Sequence, residues 1–367
     1  MYTRETAGII LPTTYAALAE TAASAPEALF SQIRTYGYDI SQLSRTEDYV
    51  LVEDMKSQPR VLADGRVVEY GPTYALLHAI CHGRPVAAVT IADGDYHTPP
   101  NLVRLAMAEA AANRASYVLW AAWPGAERPK MTAAVRPQVD LLRRHAALLN
   151  DTRPRRDVAL FLPFRRWLES DRCVASDLAA ALVRRNIPFE AVSEEGFGAD
   201  VLAPARVLLV ESLSVLTLEE AAAAREFERR GGKVIAADET GDSRPALADD
   251  SWISRLTAAL GAPSVIVICP AKVRAYAHDQ PDRTIVHLLN LNVRRLSSFE
   301  DAVTPAGGVR VRVRVPFAKV RSVTSHTADE RTVTGRLDFV SRPFEKGAEV
   351  DFTVDRLDIA AIIEISR

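Results

Sequence analysis

Three nearly unbroken apolar runs punctuate the first third of the chain: Tyr49–Asp54 (YVLVED), Pro85–Asp93 (PVAAVTIAD) and Ser116–Trp123 (SYVLWAAW). Runs of this kind predict parallel strands covered on both faces, because a half-exposed strand would alternate apolar and polar positions. A weaker fourth strand is expected at Gly8–Leu11 (GIIL). Between and after the runs, apolar spacing near 3.6 predicts helices over 72–82, 100–114 and 132–149. Pro72, Pro99 and Pro100 stand at or just before helix starts, where a missing N–H is least costly.

The polar stretch 150–156 (NDTRPRR) reads as a linker, after which the rhythm restarts. Strands are expected at 157–163, 187–192, 206–211, 233–238 and 264–269, with helices at 171–186, 217–231 and 250–261. Strands and helices in this alternation describe a doubly wound parallel sheet. Gly231 and Gly232 fall where the helix must end in a left-handed turn. From about residue 272 the pattern becomes short and alternating, with strands expected at 284–291, 308–315, 331–340, 349–354 and 359–365. That is the signature of a small antiparallel β-sandwich. The expected fold is therefore α/β, divided at 1–150, 151–271 and 272–367.

Composition narrows the chemistry. The chain has 367 residues, 25% of them charged, and a net charge of −2, so no global field draws it to nucleic acid or an anionic membrane. Cys81, Cys173 and Cys269 form no CxxC pair, which argues against a disulfide scaffold and fits a reducing compartment. No run reaches the roughly 18 apolar residues of a membrane span. A cytoplasmic location and no membrane partner are expected. There is no GxGxxG after the 157–163 strand, no phosphate-cradling lysine loop, no HExxH, and no cysteine on a strand-to-helix elbow. No cofactor and no metal site are expected. His78 and His82 have an i, i+4 spacing that can bind zinc, but without a third ligand nearby they read as structural or exposed.

Three segments carry a family resemblance: Arg84–Lys130, residues 205–242 with their strand, LTLEE helix, GG, strand and ETG run, and Arg283–Asn292 (RTIVHLLNLN). In this order they resemble the C-terminal portion of family 42 glycoside hydrolases, the β-galactosidases. The resemblance implies a partial TIM barrel over 1–150, a flavodoxin-like trimerisation-type domain over 151–271 and a C-terminal β domain. A whole barrel takes about 250 residues and eight strands, and only about four fit before residue 150. The resemblance thus implies a degenerate relative, a piece of a larger enzyme, or a second chain that completes the barrel. It also implies a carbohydrate substrate and a homo-oligomer, with a trimer as one form.

Retaining glycosidases place two carboxyl groups about 5–5.5 Å apart, and in a parallel barrel such groups sit at the C-terminal strand ends. Glu53 and Asp93 are the candidates for that pair, and Asp54 is also placed at a strand end. Glu53 could act as an acid at the rim, or pair with Lys56 or Arg60. The family's nucleophile is a glutamate ending the seventh strand. The aligned stretch here offers Thr90, Asp93 or Asp95, and the two aspartates could equally shape a turn around Gly94. Tyr96, His97 and Trp123 are candidate sugar contacts, since aromatic faces suit the apolar faces of sugars, whereas strand alternation turns Trp120 outward or into the core. Glu127 resembles a substrate-binding glutamate of the family's post-strand loop, or is a solvated loop acid. The acids Asp238, Glu239 and Asp242 read as capping and turn residues. Arg310, Arg312 and Arg314 on one strand face read as the wet side of a sheet.

Overall fold

The computed structural model describes residues 41, 44–45, 49–53, 59–90, 98–119, 124–166, 174–238 and 251–367. The strand expected at 8–11 lies outside them. In the first part the elements are β1 (Val50–Glu53), β2 (Arg60–Val61), β3 (Val67–Val68), α1 (Gly71–Ile80), β4 (Val86–Thr90), α2 (Pro100–Ala112), β5 (Ser116–Leu119) and α3 (Arg128–Arg144). The three apolar runs pair as a parallel sheet in the order β1-β4-β5, with Glu53 opposite Val89 and Thr90 opposite Leu119. Two helices depart from expectation. α1 stops at Ile80 rather than 82, because His82 and Gly83 take positive φ angles of 49° and 74° and turn the chain away. α3 begins at Arg128 rather than 132 and runs through Pro137; a separate short turn covers Ala146–Leu149.

α2 is buried on two sides. Leu102 and Leu105 pack on Leu289, Leu291 and Val293 of the C-terminal part, while Val103 and Met107 pack on Met131 and Val135 of α3. Its first turn is capped from far along the chain: Asp301 accepts from the backbone N–H of Asn101 at 3.0 Å and of Leu102 at 3.2 Å. The N-terminal and C-terminal parts are thus built together.

The second part contains β6 (Arg153–Pro154), β7 (Val158–Leu162), α4 (Ala175–Arg184), β8 (Phe189–Ser193), β9 (Val207–Ser212), α5 (Leu218–Arg229), β10 (Lys233–Asp238) and α6 (Ser251–Leu260). Strands β10-β9-β7-β8 form a parallel sheet in that order. β7 and β9 are buried at every position, as their unbroken apolar runs require. α5 starts with a capping box, in which Thr217 Oγ1 accepts from Glu220 N at 3.2 Å and Glu220 Oε2 accepts from Thr217 N at 2.7 Å. It ends in a Schellman turn: Gly232 N donates to Phe227 O at 3.0 Å, with Gly231 at φ 95°. Thr217→Ala is expected to lower stability by about 1 kcal/mol, read as a shift in the denaturation midpoint. The stretch 150–156 is more than a linker. Its β6 joins the edge of the last sheet, opposite His278 and Asp279.

The third part begins earlier than the pattern suggested. β11 (Val265–Ile268), expected to extend the parallel sheet, instead pairs antiparallel with residues 310–313. An isolated apolar run does not say which sheet it joins. The remaining strands are β12 (Val273–Gln280), β13 (Arg283–Asn290), β14 (Val293–Arg295), β15 (Asp301–Val303), β16 (Ala306–Val315), β17 (Ser322–His326), β18 (Gly335–Arg336), β19 (Phe339–Phe344), β20 (Gly347–Leu357) and β21 (Ala360–Ser366). Sheets β11-β16-β20-β19 and β18-β17-β21-β13-β12-β6 face each other across a core that includes Val286, Val311, Phe352 and Ile363. The single strand expected over 331–340 is instead two, β18 and β19, in different sheets. A further small sheet, β15-β14-β2-β3, joins residues 60–68 to residues 293–303. Two arginines of the β16 stripe meet acids across the strand: Arg310 pairs with Asp351 at 2.6 Å and Arg312 lies 3.5 Å from Glu349. Among the described residues no helix is long and apolar enough to cross a membrane.

Candidate functional site

Because β1, β4 and β5 run parallel and in register, their C-terminal ends form a level rim. Glu53 is the last residue of β1 and stands directly beside Val89 of β4. The rim loops that carry Asp93, Asp95, Tyr96, His97 and Trp123, with Asp54 and Trp120, lie outside the described residues, as does the side chain of Glu53. Glu127 is placed. It is the half-buried N-cap of α3, its N–H bonded to Pro124 O at 3.0 Å and its carbonyl taking Met131 N at 3.0 Å, with no cap bond from its side chain. Neighbouring strand ends lie roughly 4.8 Å apart, so β1 and β5, with β4 between them, end at roughly twice that.

Away from the rim, the structure gathers polar groups that sequence patterning did not single out. Arg274 and Glu69 form a buried ion pair, Nε to Oε2 at 2.6 Å and Nη2 to Oε1 at 3.1 Å, with side chains only 3% and 7% exposed. Beside them Glu109 Oε1 accepts from Tyr70 N at 2.8 Å and Gly71 N at 3.1 Å, so it caps α1. Burial pushes Glu109 up to about 8. Gly71 is obligatory here, since a Cβ would lie 2.1 Å from the Tyr276 hydroxyl. The lone acid in LVRLAMAEAAA was the available signal: a charge inside an apolar helix needs a partner.

Two imidazoles converge on the C-terminus of α2. His78 Nε2 bonds Asn113 O at 2.8 Å and His278 Nε2 bonds Ala112 O at 2.8 Å, occupying carbonyls the helix leaves open. His287 stacks edge-on against His278 at 5.5 Å. Burial depresses His78 and His278 to about 4, and burial with the charge of His278 takes His287 to about 3. His78 and His82 therefore do not share a site: His82 lies past the helix end, against Ser41 and Glu195.

That second cluster, Ser41, His82 and Glu195, has the composition of a hydrolytic triad but not its geometry. Ser41 Oγ at 2.8 Å and Glu195 Oε2 at 3.1 Å both approach the same imidazole nitrogen, Nε2. A general-base histidine needs its nucleophile and its carboxylate on opposite nitrogens. Burial raises the Glu195 carboxyl, but Arg165 and Arg45 overcome it and hold the group at about 2. It is an ion-pair hub between the two parts. Cys81, buried and pushed up to about 12, is no nucleophile. Among the described residues no three His, Cys, Asp or Glu are placed to hold a metal ion.

Comparison with known proteins gives the architecture a place. No protein-family model and no curated protein matches the sequence. Solved structures do match. α-L-Fucosidase isoenzyme 2 from Paenibacillus thiaminolyticus superposes with a TM-score of 0.67 at 13% identity, over 92% of this chain and 70% of that one. The cold-adapted β-galactosidase of Rahnella sp. R3 gives 0.51 at 11% identity, over 96% and 69%. The family 42 β-galactosidase Gan42B of G. stearothermophilus gives 0.48 at 11% identity, over 94% of this chain and 57% of that one. The chain thus spans a little over half of Gan42B and about two thirds of the other two. Its fold is glycoside-hydrolase-like.

Proposed function

We propose that the chain is a glycoside-hydrolase-like protein acting on a glycosidic bond, β-galactoside-like in class, through carboxylate acid/base chemistry at the β1-β4-β5 rim. One observation carries this reading: Glu53 closes β1 in register with the end of β4, the strand that Asp93 follows in sequence. In this reading Glu53 protonates the leaving oxygen and Asp93 is its partner. Asp95, Tyr96, His97, Trp123 and Glu127 hold the sugar. The three parallel strands seen among the described residues fall short of a closed eight-stranded barrel. In this reading the chain acts as part of a larger enzyme or with a second chain that completes the barrel, within a homo-oligomer of which a trimer is one form.

A second reading is a carbohydrate-binding or scaffold subunit without turnover. It is favoured by the end of β4, where Thr90 stands and the following stretch holds aspartates but no glutamate. An aryl-glycoside panel separates the two, run on protein whose oligomeric state has been set by light scattering. Glu53→Gln is expected to lower kcat/KM roughly 10²–10⁴-fold. Turnover untouched by the substitution removes Glu53 from its role. A stable oligomer with no turnover on any glycoside, yet with saturable sugar binding, selects the second reading.

A further inference from the structure

The rim strands hand over to three different elements. The stretch after β1 leads to β2, the stretch after β4 to α2, and the stretch after β5 to α3. These elements share one neighbour, the hairpin β14–β15 over residues 293–303, which belongs to the C-terminal part. Arg294 pairs in parallel with Val61 of β2. Phe299 packs on the cluster that Val103 and Met107 of α2 form with Met131 and Val135, in the first turns of α3. Asp301 grips the first turn of α2 with both carboxylate oxygens. Its Oδ2 accepts from Asn101 N at 3.0 Å and Leu102 N at 3.2 Å, and its Oδ1 accepts from Asn101 Nδ2 at 2.7 Å.

The grip is not a routine cap. The residue at the N-cap position is Pro99, which has no side-chain acceptor to offer, so the first N–H groups of α2 depend on a carboxylate about 200 residues away. A second acid holds the same turn: Arg104 Nη2 donates to Asp329 Oδ1 at 2.5 Å, and Asp329 Oδ2 accepts from Ile359 N at 2.7 Å and Ala360 N at 3.1 Å. The hairpin is itself tied. Leu296 N and Ser297 N donate to Glu300 O at 2.9 and 3.1 Å, and Ser297 Oγ accepts from Phe299 N and Glu300 N at 3.2 and 3.0 Å. Thr98, fully buried, joins His97 to the gripped turn.

We propose that the 293–303 hairpin is a positioning element for the rim and that Asp301 is its positioning residue, fixing the start of α2 and with it the end of the stretch that bears Asp93, Asp95, Tyr96 and His97. The proposal rests on the rim reading above. A shift near 1 Å that originates away from the chemistry can cost about 10²-fold in rate, so a grip at Thr98–Leu102 bears on turnover as well as on stability. A cap that served the helix alone would bear on stability only.

The test compares wild type, Asp301→Ala, Asp301→Asn and the swap Asp301→Asn with Asn101→Asp, each in the full chain and well below its unfolding midpoint. Asp301→Asn sets two amide NH2 groups against each other, and the swap restores their bond with donor and acceptor exchanged. Thr217→Ala, which removes a helix cap in another part of the fold, is the stability control. Asp301→Ala is expected to lower kcat/KM on aryl glycosides about 10- to 100-fold, through kcat, while Thr217→Ala leaves it unchanged. The swap is expected to return to within about threefold of wild type, with Asp301→Asn alone below it. Hydrogen exchange over residues 91–103 should quicken in Asp301→Ala and not over β7 or β9. Wild-type kcat/KM in Asp301→Ala overturns the proposal, and so does exchange that quickens equally along the chain. If sugars bind without turnover, affinity takes the place of kcat/KM. A wild type that neither turns over nor binds any glycoside defeats the rim reading instead. Exchange then judges Asp301 by itself, and unchanged exchange over 91–103 overturns its role too.

Discussion

Arg274→Ala is expected to destabilise the protein by roughly 3–5 kcal/mol. The substitution removes the cationic partner of Glu69, which is 8% exposed, and leaves a carboxylate stranded between the N-terminal and C-terminal parts. The second acid nearby makes matters worse. Glu109 already rises under burial and the charge of Glu69, with Arg274 among the groups that offset it. Arg274 also donates to Ala271 O at 2.8 Å, so the turn into β12 loses a bond as well. The effect arises from an uncompensated charge, and not from the net worth of the pair. Arg274→Met with Glu69→Leu should therefore recover most of the loss, because two apolar groups of similar size leave nothing unpaired. Denaturant midpoints followed by circular dichroism check both. An Arg274→Ala variant within 1 kcal/mol of wild type would show that water reaches the pair.

The same residues explain how far the sequence could be read. β7 and β9 were legible because VALFL and VLLV can be apolar throughout only if helices cover both faces of the sheet. The ends of α5 were legible because Thr217, Glu220, Gly231 and Gly232 act within a few residues of themselves. β12 was not. VRAYAHDQ breaks the apolar pattern with Arg274, His278 and Asp279, and those positions are buried or half-buried because Glu69, Ala112 and Arg155 meet them from more than 100 residues away. β6 and β14 are held by pairing with strands distant in sequence, and two or three polar residues carry no local signal for that. The rim was legible as geometry, since three similar runs predict parallel strands with level ends. Its chemistry was named from residue types in the loops, which lie outside the described residues apart from Glu127. The junction was missed for the opposite reason. Each of its members looks ordinary in sequence, and only long-range packing makes a polar network of them.

That junction also sets the response to acid. His78, His278 and His287 lie at about 4, 4 and 3 in the folded state against 6.5 for an ordinary imidazole. A depressed histidine binds its proton more weakly when folded, so the unfolded chain takes up more protons over this range. Stability is therefore full above about 6.5 and is lost as pH falls through 6.5 toward 4, by up to about 1.4 kcal/mol per pH unit for each group. For His278 the charges of Arg114 and Arg155 add to burial, and Asp279 pulls the other way. Glu109 opposes the trend. Its raised value of about 8 means the folded state holds that proton more tightly, so its contribution grows as pH falls from 8 to about 4.5 and then stops. Glu194, Glu211 and Asp301, each raised by burial, act in the same direction. Glu195, held at about 2 by Arg165 and Arg45, loses its contribution below about 4.5. The balance predicts a decline from pH 6.5 to 4.5 that the imidazoles drive and Glu109 partly offsets, with the loss from Glu195 added beneath it. His78→Gln with His278→Gln keeps a side-chain donor near each carbonyl while removing two titrating groups. Between pH 6.5 and 4.5 the unfolding free energy of this variant should decline less steeply than that of wild type, by roughly 2–3 kcal/mol per unit at most. Parallel curves for the two proteins would mean that the imidazoles are solvated and that acid unfolding starts elsewhere.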